Sequence, residues 1–170
     1  LVTDAHNTLS DPARRAEYDE QLASAQATTE VKGADSAYLA KQNFLRGRAL
    51  ASQRKFTEAV TFFENALSLD PSQPEYHLEL GLVLSRNPRR REDAERRLLQ
   101  AIDLAPTVVS AYVALGQMYL KAGRSGRAGR MAREALRWEP DHVEATELLT
   151  AAGDAPDEKG ELQEGVFRTS

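Results

Sequence analysis

Three kinds of residue in this 170-residue chain have the right types for chemistry: histidines, a run of spaced glycines and a set of arginines. His6, His77 and His142 fall on different elements without the close spacing of metal ligands. Each reads as a surface or packing side chain, so no metal site is expected. Gly123-x-x-Gly126-x-x-Gly129 has the outline of a phosphate cradle, but it follows a helical pattern and not a strand. A phosphate loop needs the strand-to-helix step that aims backbone N–H groups at the anion. No serine stands in a nucleophile-elbow setting with a histidine or carboxylate close by in sequence. No catalytic residue, cofactor or enzymatic activity is expected. Arg89, Arg90 and Arg91 cluster in one turn, and Arg124, Arg127, Arg130, Arg133 and Arg137 recur along one helical stretch. On a solvated face such arginines need no ligand. The sharper alternative is attraction of an acidic partner, or of the chain's own Asp154, Asp157, Glu158, Glu161 and Glu164. Nucleic acid is not expected, because no aromatic stacking residues are interleaved with the charge and the formal net charge is −4.

The elements that carry these residues are helical. From about Ser36 to Gly153, apolar residues recur at three- and four-residue spacing, as in Leu78 and Leu82 or Tyr112, Leu115 and Tyr119. Polar turns interrupt them at Arg54-Lys55, Pro71-Ser72-Gln73-Pro74, Asn87-Pro88-Arg89, Pro106-Thr107 and Gly123-Arg124-Ser125. No stretch alternates with a period of two, so no sheet is expected. An apolar content of 41% is enough for a core, and no apolar run approaches the ~20 residues of a membrane helix. The absence of cysteine excludes disulfides and fits a reducing, cytoplasmic setting. The chain opens on Leu1, partway through a helical pattern, as expected of a piece excised from a longer protein.

A longer period lies over the helical one. Gly47, Gly81 and Gly116 recur 34 and then 35 residues apart. Each is followed by two alanines (Ala59 and Ala66, Ala94 and Ala101, Ala128 and Ala135) and by a closing proline at Pro71, Pro106 or Pro140. Glycine and alanine at crossing points let antiparallel helices approach closely, and the prolines end the second helix of each pair. Tyr112-x-x-Leu115-Gly116-x-x-Tyr119 with Ala128, Ala135 and Pro140 resembles the tetratricopeptide repeat, and so do the two earlier units. The first departs from the pattern by carrying Asn43 and Arg46, where an aromatic and an aliphatic are preferred. The resemblance implies an all-α, right-handed solenoid of three hairpins (36–72, 73–106 and 107–140) with a capping helix at 141–153. The acidic segment 154–170 is expected to be disordered.

Residues 1–27 carry a second resemblance. Ala5, Leu9-Ser10-Asp11-Pro12, Arg15 and Tyr18-Asp19 look like the closing part of a J domain, the module that stimulates DnaK-class chaperone ATPases. Asp11 is a good N-cap and Pro12 a good first helical residue, so a helix should start there. The family's activating His-Pro-Asp loop is absent from this sequence, and the resemblance places it upstream. Residues 28–35, short and polar, are expected to be a linker.

The tetratricopeptide resemblance also implies a site. The first helix of each hairpin lines a concave groove, which places Lys41, Phe44 and Arg48 beside Glu75, Leu78, Glu79, Leu82 and Arg86. The third hairpin adds Val113, Gln117 and Lys121, with Ser110 and Ala114 near them. Apolar spots among charges of both signs suit an extended or helical peptide. Some members of the family clamp the carboxylate end of heat-shock chaperones. The corresponding positions here are Phe44, Arg48, Glu79, Ser110 and Ala114, of which only Arg48 suits that task. The expected function is therefore protein–protein interaction, as the partner- or client-binding part of a co-chaperone-like protein. In that reading a DnaK-class chaperone is recruited through the missing J portion. The alternative is a self-assembling scaffold whose repeats build an oligomer. No membrane partner is expected.

Overall fold

The computed structural model describes residues 12–153. Its described residues form helices and turns, with no strand among them. The chain divides into two compact units, Leu1–Leu39 and Ala40–Ser170. Helix α1 covers Pro12–Ser52 and so contributes to both. Its start at Pro12 follows from that residue's fixed φ and missing N–H, which suit a first helical position. Residues 28–35 are helical, where the sequence predicts a linker. The segment contains no proline, and its single glycine, Gly33, costs only about 1 kcal/mol inside a helix. Polarity alone does not end a helix. In the first unit Tyr18 and Leu22 are exposed one turn apart. The predicted J-like residues before Pro12 and the acidic segment 154–170 lie outside the described residues.

In the second unit the end of α1 is followed by α2 (Phe56–Leu69), α3 (Pro74–Leu84) and α4 (Arg91–Leu104). Next come α5 (Val109–Lys121), α6 (Ser125–Trp138) and α7 (Val143–Ala152). Short turns make sequence neighbours antiparallel, so α3, α5 and α7 run in the same direction. The six repeat alanines, Ala59, Ala66, Ala94, Ala101, Ala128 and Ala135, are completely buried. Close approach at the repeat glycines is direct: a Cβ on Gly47 would lie 2.7 Å from the Phe63 ring, and one on Gly81 2.7 Å from Leu98 Cγ. One on Gly116 would meet Leu148 of α7 at 2.3 Å, so the capping helix seats on the third hairpin. Packing at interior density leaves no room for those atoms. Of the two departures in the first repeat, Asn43 is half-buried and Arg46 is exposed. Arg46 lies with its guanidinium 4.8 Å from the centre of the Phe62 ring, while Phe44 and Phe63 fill the interior.

The turns repeat with local variations. Asp70 closes the α2–α3 turn by accepting from the Ser72 hydroxyl at 2.6 Å and from Gln73 Nε2 at 2.9 Å. These two bonds, the Ser72 one foremost, hold its carboxyl below the usual carboxylate range. Asn87 plays a similar part, its side chain accepting from Arg89 N at 3.0 Å ahead of a 3-10 turn at Pro88–Arg90. The turns after α1 and α5 each place one residue at positive φ, Arg54 at 62° and Gly123 at 72°. Glycine takes that conformation freely, whereas a side chain costs roughly 1 kcal/mol or more. Arg54→Gly is therefore expected to raise stability by about 1 kcal/mol, seen as a higher urea midpoint at unchanged slope. A lowered midpoint would show that the Arg54 side chain itself stabilises the turn.

His77 on α3 is the buried polar side chain of the core, 3% exposed. Its Nε2 lies 3.0 Å from the Pro71 carbonyl and its Nδ1 is buried without a partner, which describes a neutral ring donating from Nε2. Burial holds its pKa below that of a free histidine. The Arg97 charge acts in the same direction, against the Pro71 bond. The unfolded chain thus binds a proton at higher pH than the folded one. The contribution of His77 is intact above the unfolded value and is lost as pH falls through it toward the lower folded value. The urea midpoint should drop between about pH 7.5 and about pH 5.5, and His77→Gln should flatten that part of the curve. An equal slope in the variant would assign the effect to other groups.

Candidate partner-binding groove

The first helices of the hairpins, the end of α1 with α3 and α5, share one face of the second unit. On α3, Glu75, Glu79 and Leu82 follow at spacings of four and three, which puts them on one side of that helix. Arg86 stands two residues past the helix end and Lys121 is the last residue of α5. Each lies five residues after its repeat glycine, Gly81 or Gly116, so parallel α3 and α5 bring the two cations to the same end. There Glu79, Leu82, Arg86, Gln117 and Lys121 line an open hollow of about 340 Å³. Five of the eleven residues expected to line the groove thus converge on one place.

The structure corrects two others. Phe44 and Val113 are 4% and 3% exposed and belong to the core. Phe44 stacks on Tyr76 with ring centres 4.6 Å apart and meets Phe63 at 5.8 Å, because an aromatic between two hairpins gains more from packing than from water. Leu78 is half-buried against the same core. Lys41 and Glu75 are exposed and stand outside the hollow. Arg48 reaches Glu79 at 3.7 Å and its guanidinium lies 5.8 Å from the Phe44 ring centre. Burial raises the Glu79 pKa, Arg48 opposes that shift and Glu75 adds to it.

The sequence did not point to Ala51, Phe56, Val83 and Ser85, which complete the wall. Phe56 opens α2 and lies under the Arg86 guanidinium, 4.9 Å from ring centre to Cζ. A second helix thereby supplies an aromatic side to a groove expected from first helices alone. The only signal for it is an aromatic at the first position of α2, next to the α1–α2 turn.

Arg90 and Arg137, two of the clustered arginines, are engaged with nearby carboxylates, as is Arg96. Arg90 Nε binds Asp93 at 2.5 Å, Arg96 pairs with the same carboxylate, and Arg137 meets Glu134 at 2.9 Å. Arg127 covers the Tyr119 ring at 5.8 Å. The Tyr119 hydroxyl donates to Glu95 at 2.6 Å, and burial foremost, then that bond, pushes its ionisation well above the usual tyrosine value. Gly126 and Gly129 sit buried within α6 rather than in a loop, and a Cβ on Gly129 would lie 3.5 Å from Ala152 of α7. Gly129 thus serves helix contact. No cluster of potential metal ligands occurs among the described residues, and no described helix is long and apolar enough to cross a membrane.

Comparison with known proteins fits this architecture. A TPR-repeat model matches residues 47–87 and a tetratricopeptide-repeat model matches residues 89–142. Solved structures with the same fold include the TPR domain of Arabidopsis OM64 (TM-score 0.66, 20% identity, 69% of this chain and 96% of that one). Another is the first TPR of Spaghetti (RPAP3) bound to an HSP90 peptide (TM-score 0.65, 22% identity, 68% of this chain and 91% of that one). Residues 47 to 142 are tetratricopeptide repeats.

Two curated relatives share part of this region. The TPR repeat-containing thioredoxin TTL4 of Arabidopsis thaliana is 27% identical over 84 residues, 49% of this chain. The protein O-mannosyl-transferase Tmtc2 of Drosophila melanogaster is 36% identical over 66 residues, 39% of this chain. The matched stretches are 12% and 7% of those proteins' lengths.

Proposed function

We propose that this chain is a protein-interaction scaffold that holds a partner segment across α3 and α5, at the hollow lined by Glu79, Leu82, Arg86, Gln117 and Lys121. The observation that carries this reading is the convergence of apolar, charged and amide side chains from the α1–α2 turn, α3 and α5 on one open hollow. Repeat arrays of this kind present extended surfaces rather than closed catalytic pockets. Two of the similar folds hold chaperone peptides, an HSP90 peptide in one and an HSP70 peptide in the second TPR domain of human RPAP3. Peptide capture is the natural use of this face. We place the chain in a reducing compartment, the cytoplasm, on its lack of cysteine.

The finer reading is that the repeats hold a client while a J portion recruits a DnaK-class chaperone. It is supported by the spelling Leu9-Ser10-Asp11-Pro12 with Tyr18-Asp19 and by the helix start at Pro12. Sequencing the gene on the 5′ side of the Leu1 codon tests it: an encoded His-Pro-Asp loop supports this reading, and finding none rejects it.

The groove assignment is tested by photocrosslinking. A photoreactive residue replacing Leu82 should capture a discrete partner, the same residue replacing exposed Gln100 on α4 should not, and Leu78→Glu with Leu82→Arg should abolish binding of that partner. Equal capture from position 100, or binding that survives the double change in a still-helical protein, rejects the groove.

A further inference from the structure

The hollow is electrically lopsided. Both acids of the α3 face, Glu75 and Glu79, lie in the first half of that helix, and Glu79 already has Arg48 beside it at 3.7 Å. The other end holds Arg86 and Lys121, and among the described residues no carboxylate lies within ion-pair distance of either. Arg86 is steadied by lying over Phe56 at 4.9 Å, with its charge left at the rim. The less exposed part of the hollow's lining combines apolar Ala51, Phe56, Leu82 and Val83 with Glu79 and Ser85. Its volume of about 340 Å³ is at the small end for a ligand site and suits one side chain better than a whole small molecule.

Building on the groove reading, we propose that this hollow recognises an internal, extended peptide segment in which one apolar side chain is followed directly by a carboxylate residue. The apolar side chain enters between Phe56 and Leu82, and the carboxylate is held between Arg86 and Lys121. The positions that the tetratricopeptide resemblance assigns to a clamp for a chain-terminal carboxylate are Phe44, Arg48, Glu79, Ser110 and Ala114, and of these only Glu79 lines the hollow. Phe44 is buried, Ala114 is nearly so, and the Glu79 carboxylate repels further negative charge. A densely acidic chain end is therefore disfavoured, whereas a single acid beside an apolar anchor meets two cations at one end of the hollow, with the lining carboxylate of Glu79 already facing Arg48 at 3.7 Å. Recognition depends on side chains and does not require a free terminus.

The test uses the full chain, isotope-labelled, titrated by NMR with peptides blocked at both ends. The probes are acetyl-Gly-Ser-Gln-Leu-Glu-Ser-Gly-amide and its counterparts with Leu-Gln or Ser-Glu in place of Leu-Glu. Signals from Leu82 and the Gln117 side-chain amide should move with the Leu-Glu peptide, which should bind about five- to tenfold more tightly than either counterpart and weaken with added salt. Arg86→Met with Lys121→Met should erase the preference for glutamate over glutamine, while Lys41→Met should keep it. Unblocking the peptide's carboxyl end should give no gain. Three outcomes overturn the proposal: no movement of those signals by about 10 mM peptide, equal binding of the glutamate and glutamine forms, or binding only by the unblocked end. A fourth is tighter peptide binding after Asp157→Asn, Glu158→Gln, Glu161→Gln and Glu164→Gln, which would give the hollow to the chain's own 154–170 segment. If position 82 still crosslinks a partner while the peptides bind alike, this inference fails and the groove reading stands.

Discussion

Gly81→Val should destabilise the protein by about 3 kcal/mol and lower its urea midpoint accordingly. A Cβ at this position would lie 2.7 Å from Leu98 Cγ, 2.8 Å from Leu98 Cδ2 and 3.3 Å from the Leu98 backbone nitrogen. Leu98 is completely buried, so its side chain has no solvent to move into, and the nearby backbone atom prevents a simple rotation from clearing the space. The α3–α4 pair must separate, and valine's two γ-carbons force it further than alanine would. Alanine gains about 1 kcal/mol of helix propensity over glycine, which partly offsets the clash, and so Gly81→Ala should be much the milder change. Gly116 makes an instructive comparison. A backbone atom is as near as at Gly81, the Ala128 carbonyl oxygen at 3.3 Å. The closest obstacle, however, is Leu148 Cδ2 at 2.3 Å, the far end of a side chain on α7, the last described helix, which can shift outward. Gly116→Ala should therefore loosen α7 first, visible as faster amide exchange in Val143–Ala152 with little change in α3 and α4. A Gly81→Val protein within 1 kcal/mol of the parent would show that the hairpin contact is softer than these distances indicate.

The same glycines explain why so much of the fold was legible in the sequence. A glycine or alanine at a helix crossing leaves a mark that survives divergence, because few other residues fit there. The three glycines, six alanines and three prolines thus mark where paired helices cross and end, although α1 begins at Pro12 and not near residue 36. The polar turns mark helix ends as well, since each follows from a proline, an asparagine or a positive-φ position. What failed was legible only in three dimensions. Phe44 reads as a groove residue by spacing, yet Tyr76 from the next hairpin closes over it. Phe56 reads as an ordinary helix start, and only the packing of α2 beside α3 brings it to 4.9 Å from the Arg86 guanidinium. Residues 28–35 read as a joint because they are polar, but a helix continues until a backbone reason stops it, and none is present there.

Phe63→Ala should have a different signature from Gly81→Val, because its loss is confined to one end of the array. Phe63 is completely buried, lies against Gly47 and meets Phe44 at 5.8 Å, so it is the pin between α1 and α2. Truncating such a ring costs about 3–5 kcal/mol. In a repeat array each hairpin contacts only its neighbours, so a cost of that size is met most cheaply by releasing the terminal hairpin and keeping the rest. Two transitions should appear in urea, and amide protection should fall across Phe56–Leu69 while Val109–Lys121 stays protected. Ala51 and Phe56 flank the α1–α2 turn and form one side of the hollow, so peptide binding should vanish even though Arg86, Gln117 and Lys121 remain folded. Met131→Ala, at a buried site on α6 far from that wall, removes core volume of a comparable kind and should leave the hollow able to bind. A single cooperative transition in Phe63→Ala, with protection lost evenly from α2 to α6, would mean the array melts as one block. Stability and partner capture could then not be separated by position along it.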